Sequence, residues 1–130
     1  MSFSLSQRSL RTLAGVHGDL IKVVTRAAEL APDGVEFVVT EGVRTAMRQS
    51  ELFKAGATRT MKSRHLDGHA VDLAALVAGE VRWDWPLYSR LAELMKEAAH
   101  ELAVDLEWGG DWTTFKDGPH FQLTWSKYPS

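Results

Sequence analysis

Between Ser63 and Asp72 the chain reads Ser-Arg-His-Leu-Asp-Gly-His-Ala-Val-Asp, with an imidazole (His65) and a carboxylate (Asp72) seven residues apart and a glycine between them. Its end, Ala70-Val71-Asp72-Leu73-Ala74, is strand-like. Alternation puts Ala70, Asp72 and Ala74 on one face of that strand and Val71 and Leu73 on the other. Asp72 therefore sits on the less apolar face, between two small residues that leave room for its carboxylate. Gly68 lets the chain fold back, so that His65 can reach the same point from the preceding loop. A neutral imidazole and a carboxylate meeting there are two of the three protein ligands of a catalytic zinc. The third is offered near the C-terminus by Asp117-Gly118-Pro119-His120.

The rest of the chain limits what that site can belong to. Its 130 residues fit one domain, expected to span 1–130, with enough chain to bury a core without staples. With 45% hydrophobic and 25% charged residues, it has the balance of an ordinary soluble protein. A net charge of -2 gives no basic field for nucleic acid or a membrane surface. Cysteine is absent, so disulfides and thiolate metal sites are excluded, and any metal must be held by histidine and carboxylate. The start, Met1 to Arg8, lacks the apolar core of a secretory signal, and no run approaches the ~20 apolar residues of a membrane span.

Periodicity predicts one amphipathic helix from Ser6 to Ala31, with Leu10, Leu13, His17, Leu20, Val24 and Ala28 on its stripe and Pro32-Asp33-Gly34 as its stop. His17 is expected to be a hydrogen-bonded core residue and not a ligand. Val35–Thr40 reads as a buried strand. After it, Thr45 can cap a short helix ending near Ala55 and Gly56. Arg44, at that junction, is either a solvated charge or a side chain reaching into a site at the sheet edge. Thr58 to Lys62 reads as a polar connector, and Val77–Val81 as a turn between strand-like pieces. Asp84-Trp85-Pro86 marks the start of a second long helix, with Leu87, Leu91, Leu94, Met95, Ala98 and Leu102 facing inward and His100 outward. Asp105–Trp112 is expected to contain a short loop with two tryptophans and two glycines, and Phe121–Trp125 a final strand. The fold class that follows is α+β, with helices packed on a small, largely antiparallel sheet.

His120 stands just before the last strand, as His65 stands before the central one. Two strand edges side by side would gather His65, Asp72 and His120 around one ion with a fourth position open. Asp117, three residues before His120, is the natural general base. Glu107 and Asp111 are rival bases without a short spacing to a ligand. His69 is expected to be structural or to support a ligand, since Gly68 and the run after it oppose a helix that would pair it with His65.

Ser63-x-His65-x-x-Gly68-x-Ala70-x-Asp72 followed by Asp117-x-x-His120 resembles the signature of the M15 family of zinc peptidases. That family includes D-alanyl-D-alanine carboxypeptidases, the dipeptidases of vancomycin resistance, and L-alanyl-D-glutamate endopeptidases such as bacteriophage endolysins. Trp108-Gly109-Gly110-Asp111-Trp112 and Phe115–Gln122 resemble the endolysins most, whereas the dipeptidases usually carry glutamate where Asp117 stands. Gly42-Val43-Arg44-Thr45, with Gln49 and Leu52-Phe53, resembles the segment whose arginine contacts substrate, although Val43 replaces the usual aromatic.

The resemblance implies a Hedgehog/D-Ala-D-Ala peptidase-like fold. It also implies zinc held by His65, Asp72 and His120, with Asp117 as general base and acid. Arg44 would bind or polarise substrate, and Ser63 would position substrate or the loop. The implied activity is cleavage of the L-Ala-D-Glu bond of the peptidoglycan stem peptide by a monomer. Such a protein is expected to stay in the host cytoplasm until a holin releases it, and to need no wall-binding domain on a thin Gram-negative wall. A D-alanyl-D-alanine carboxypeptidase, or a catalytically silent zinc-binding module, is the alternative.

Overall fold

The structure is a computed structural model that describes residues 4–56, 63–113 and 116–129. The connector Thr58–Lys62 and Phe115 of the C-terminal motif lie outside the described residues. Among the described residues, the strands are β1 (Glu36–Glu41), β2 (Ala70–Val77), β3 (Glu80–Arg82), β4 (Leu106–Trp108) and β5 (His120–Leu123). They form one antiparallel sheet in the order β1-β2-β5-β4, with β3 added to β2. The helices are α1 (Gln7–Thr12), α2 (Gly18–Leu30), α3 (Ala46–Lys54) and α4 (Trp85–Leu102). The α+β class read from the pattern is the one found.

Strand alternation divides the sheet into two chemically different faces. Val71, Leu73 and Ala75 of β2, Phe37 and Val39 of β1, and Phe121 and Leu123 of β5 join one buried cluster. Leu20, Val23, Val24 and Ala27 of α2 and Leu91, Met95 and Ala98 of α4 complete it. The residues between them, Asp72, His120, Gln122 and Glu107, fall on the opposite face. Apolar burial on the helix side is what fixes the orientation of the polar side.

The first helix departs from its expected course. It is broken into α1 and α2, with Gly15 at φ +85° and His17 leaving helical geometry to cap α2. The imidazole accepts from the Asp19 N–H at 3.0 Å, and the His17 N–H donates to the Gly68 carbonyl at 2.9 Å. Periodicity missed the break because the apolar spacing carries across it: Leu13 and Val16 are buried while Leu10 is 48% exposed. His17 is hydrogen-bonded as expected, but at a helix start and not on a helical stripe.

Most other local signals hold, but β1 buries only Phe37 and Val39, with Glu36 and Thr40 exposed, and Leu102, expected to face inward, is 39% exposed at the end of α4. The Thr45 hydroxyl accepts from the Arg48 N–H and starts α3, and Asp84 precedes α4 with Pro86 in its first turn. Ala78 and Gly79, both at positive φ, join β2 to β3, and His100 is exposed. The segment read as a loop at 105–112 instead contains β4 and a 3-10 turn at Gly109–Asp111. Three residues are too short for alternation to announce a strand. The last strand starts at His120 and stops at Leu123, leaving Trp125 49% exposed.

Two irregularities serve the polar face. In β1 the register shifts between Val39 and Glu41, so Glu41 comes opposite Asp72. Without that extra residue, alternation would send Glu41 to the same side as Val39, into the core. The second is a 3-10 turn, Arg64–Asp67, closed by Gly68 at φ +77°. Arg64 in this turn is 2% exposed. It donates to the carbonyls of Leu123, Thr124 and Tyr128, and lies under the Trp125 ring with its guanidinium carbon 3.9 Å from the centroid.

Gly68 carries two constraints at once, since a Cβ there would also stand 2.7 Å from the Gly15 carbonyl oxygen. Gly34 has a similar φ, +85°, with nothing within 4 Å. Gly34→Ala should therefore lose only the left-handed penalty, about 1–2 kcal/mol. Gly68→Ala should lose clearly more, read from urea melting midpoints. Equal losses would show that the contact with Gly15 imposes nothing.

Candidate metal centre

The pairing of β2 with β5 sets Asp72 directly opposite His120, and the 3-10 turn brings His65 to the same place. The Asp72 Oδ1 is 3.2 Å from His65 Nε2 and 3.3 Å from His120 Nδ1. One ligand atom from each of the three residues lies within 4.8 Å of the others. Both histidines are buried, at 1% and 5% exposure, while Asp72 stays partly open to solvent. The structure thus brings together the three residues singled out as ligands.

Each imidazole is held from behind. His65 Nδ1 is 2.8 Å from the Gly42 carbonyl oxygen, which accepts, so Nδ1 carries a proton and Nε2 is the nitrogen that faces the cluster, where the neutral ring offers a lone pair. His120 is reversed, with Nε2 2.7 Å from Gln122 Oε1 and Nδ1 turned inward. The Trp112 ring leans on His120 with centroids 5.2 Å apart, and its Nε1–H donates to Glu107. Outer hydrogen bonds that fix ring orientation are what metal-ligating histidines require. With two imidazoles, one carboxylate and no thiolate, the donor set fits zinc.

The two carboxylates of the site are driven apart in acidity. Burial alone would raise the Asp72 pKa, but hydrogen bonds from His120 and His65 and their charge hold it far below the usual range. Asp117 is raised, by burial first and then by the negative charge of Asp72. For His120, burial is outweighed by the hydrogen bond and charge of Asp72, and its pKa rises. Asp117 reaches the site because its N–H donates to the Gly109 carbonyl at 3.0 Å. A Cβ on Gly109 would stand 2.3 Å from the Asp117 carbonyl oxygen, so this approach needs glycine.

Arg44 is not a solvated charge, being only 9% exposed. Its Nε and Nη2 donate to the two Glu41 oxygens at 2.6 and 2.8 Å, and Nη1 to Gln49 Oε1 at 2.6 Å and Ser63 Oγ at 3.4 Å. Of its five N–H groups, the one left over belongs to Nη2, which is 3.9 Å from Asp72 Oδ2. Ser63 also accepts from the His65 N–H and starts the turn that carries that imidazole.

The rival carboxylates have other partners. Asp111 pairs with Lys96 at 2.7 Å on the surface, and Glu107 accepts from Trp112 and Gln122. His69 packs edge-on against His17 and is not one of the three clustered residues.

Sequence reasoning gave no role to Glu41, Gln122 or Tyr88. Tyr88 packs against Gly118, and its phenol is pushed up to about 12 by burial and by Asp117, Asp72 and Asp84. Glu41 and Gln122 could have been found only by knowing the strand register.

Comparisons with known proteins agree with this geometry. A family model described as phage L-alanyl-D-glutamate peptidase matches residues 1–124. The L-alanyl-D-glutamate peptidase of Escherichia phage T5 is 31% identical over 121 residues, covering 90% of this chain and 87% of that one. The crystal structure of the Serratia marcescens L-Ala D-Glu endopeptidase ChiX superposes with a TM-score of 0.92 and 46% identity, covering 99% of this chain and 96% of that one. The vancomycin resistance D,D-dipeptidase VanXYg shares the fold alone, with a TM-score of 0.53 and 18% identity over 83% of this chain and 50% of that one.

The raised Asp117 pKa has a measurable cost in metal-free protein. A carboxyl whose folded pKa exceeds its unfolded one contributes no penalty below the unfolded pKa. The penalty grows as pH rises through the interval between the two values and is complete above the folded value. Asp117→Asn should therefore raise the thermal midpoint of chelator-treated protein at neutral pH, and the gain should fade near pH ~4. A variant no more stable than wild type at pH 7 would contradict the raised pKa.

Proposed function

The chain belongs to the phage L-alanyl-D-glutamate peptidase family, and from that premise we propose how its residues do the work. The chain is a peptidase of the peptidoglycan stem peptide. It cleaves between L-alanine and D-glutamate, using zinc held by His65 Nε2, Asp72 and His120 Nδ1. The observation that carries this reading is the convergence of both imidazoles on one Asp72 oxygen, at 3.2 and 3.3 Å, with their far nitrogens already hydrogen-bonded.

When bound, the ion supplies Lewis acidity toward the scissile carbonyl and toward water. Asp117, with its raised proton affinity, takes the proton of the attacking water and passes it to the leaving nitrogen of D-glutamate as the C–N bond breaks. Arg44 turns its remaining N–H toward substrate, where a cation suits both the carboxylates of the stem peptide and a developing oxyanion. Its other four N–H groups keep it from swinging away. Ser63 supports Arg44 and His65 together and thereby positions the substrate loop.

The protein works as a monomer of one catalytic domain, and its substrate lies outside the compartment where it is made. No helix among the described residues is long and apolar enough to cross a membrane. Release by a separate factor brings it to the wall.

Digested muropeptides, read by mass spectrometry, should show stem peptides beginning at D-glutamate and L-alanine left on the sugar side. Release of terminal D-alanine alone would replace this reading with a carboxypeptidase. Elemental analysis should find about one zinc per chain, one ion for one His₂-carboxylate set, and a chelator should abolish activity that zinc restores.

Variants separate the roles. Asp117→Asn should keep its zinc and lose about 10²–10⁴-fold in turnover. His120→Ala should lose the metal as well. Arg44→Ala should keep zinc and lose roughly 10²–10³-fold, and Arg44→Lys should not rescue it, because an ammonium cannot make the paired bonds to Glu41. Near wild-type lysis by Asp117→Asn would move the base to another carboxylate.

A further inference from the structure

Behind His120 runs a chain of hydrogen bonds with a fixed direction. Trp112 Nε1–H donates to Glu107 Oε2 at 3.2 Å, and Gln122 Nε2–H donates to Glu107 Oε1 at 3.0 Å. Gln122 Oε1 then faces His120 Nε2 at 2.7 Å. An indole N–H can only donate and a carboxylate can only accept, so both ends are unambiguous. Because the Gln122 amide must turn its NH₂ to Glu107, it must turn its oxygen to His120. An oxygen there demands a proton on Nε2, which leaves the lone pair of the neutral ring on Nδ1, beside Asp72.

The relay is built into the sheet. Glu107 and Gln122 are cross-strand partners in β4 and β5, and Gln122 is 6% exposed. We propose that Glu107 is a positioning residue: through Gln122 it sets which nitrogen His120 presents to the metal. This rests on the peptidase reading for its purpose, but the relay itself is a property of the chain with or without an ion. It also gives Glu107 a task other than that of a catalytic base.

Two substitutions that preserve shape and change only hydrogen-bond polarity test it. Glu107→Gln either sets its NH₂ against the Trp112 N–H or forces the Gln122 amide to flip, offering a donor to His120. Gln122→Glu sets two carboxylates against each other. The double variant E107Q/Q122E pairs every donor with an acceptor again, with the bond between 107 and 122 reversed. The indole donates to the amide oxygen now at position 107, and the NH₂ of that amide donates to the carboxylate now at position 122. The same carboxylate accepts from His120 Nε2–H.

Zinc affinity, measured by competition with a chromophoric chelator, should fall about 10–100-fold in each single variant and recover in the double. Long-range ¹H–¹⁵N spectra of the purified protein, recorded at a pH where His120 is neutral, should show its Nε2–H form in wild type and the double variant, and a changed pattern in Glu107→Gln. Wild-type zinc affinity and an unchanged His120 pattern in Glu107→Gln would overturn the proposal, as would a double variant no better than the singles. A base at position 107 could not be restored by a second change at 122. If wild type binds no zinc, the peptidase reading fails, and the His120 spectra alone still decide the relay.

Discussion

Everything at the polar face depends on one antiparallel register, the pairing of β2 with β5 that sets Asp72 across from His120. A slip of one residue would turn both side chains into the cluster formed by α2 and α4, and bring Val71 and Phe121 out to water. The register is held by what lies on the other face. Val71, Leu73, Phe121 and Leu123 are each fully buried, and each fully buried side chain of this kind is worth about 1.5–3 kcal/mol. Hydrophobic burial therefore places the charges, although none of those four side chains touches the chemistry.

Within that frame the two acids receive opposite surroundings. Asp72 is compensated by two imidazoles and stays ionised, while Asp117 is buried beside a like charge and holds its proton more tightly. Two carboxyl groups with separated proton affinities can divide the tasks of ligand and proton carrier. The charge of Arg44, 3.9 Å from Asp72, opposes the repulsion between them, and Glu41, delivered by the β1 irregularity, pairs with Arg44 in turn.

What the sequence made legible was local or periodic. The alternation around Asp72, the Thr45 cap, the Gly68 turn and the stripe of α4 up to Ala98 follow from the nearest few residues, and the structure has each of them. The trio His65, Asp72 and His120 was legible because ligand chemistry restricts residue types so severely. The break before α2 was not, because its cause is a hydrogen bond from His17 to Gly68, far along the chain. The partners of Arg44 and the Trp112–Glu107–Gln122–His120 series depend on register, which alternation leaves undetermined. A charged side chain looks the same in sequence whether it is solvated or buried among four acceptors.

Arg64 has a practical consequence for anyone who handles the protein. Its guanidinium is buried one residue before His65, and two of its three carbonyl acceptors, Thr124 and Tyr128, come from the tail that follows β5, with Trp125 as a lid. Trimming or clipping the chain after Leu123 would leave that cation with the Leu123 carbonyl and Asp67 as its partners, and slacken the turn that aims His65. The tail thus works as a strap, and damage there would register first as a displaced His65 before the sheet itself came apart. Fusion partners and affinity tags belong at the other terminus.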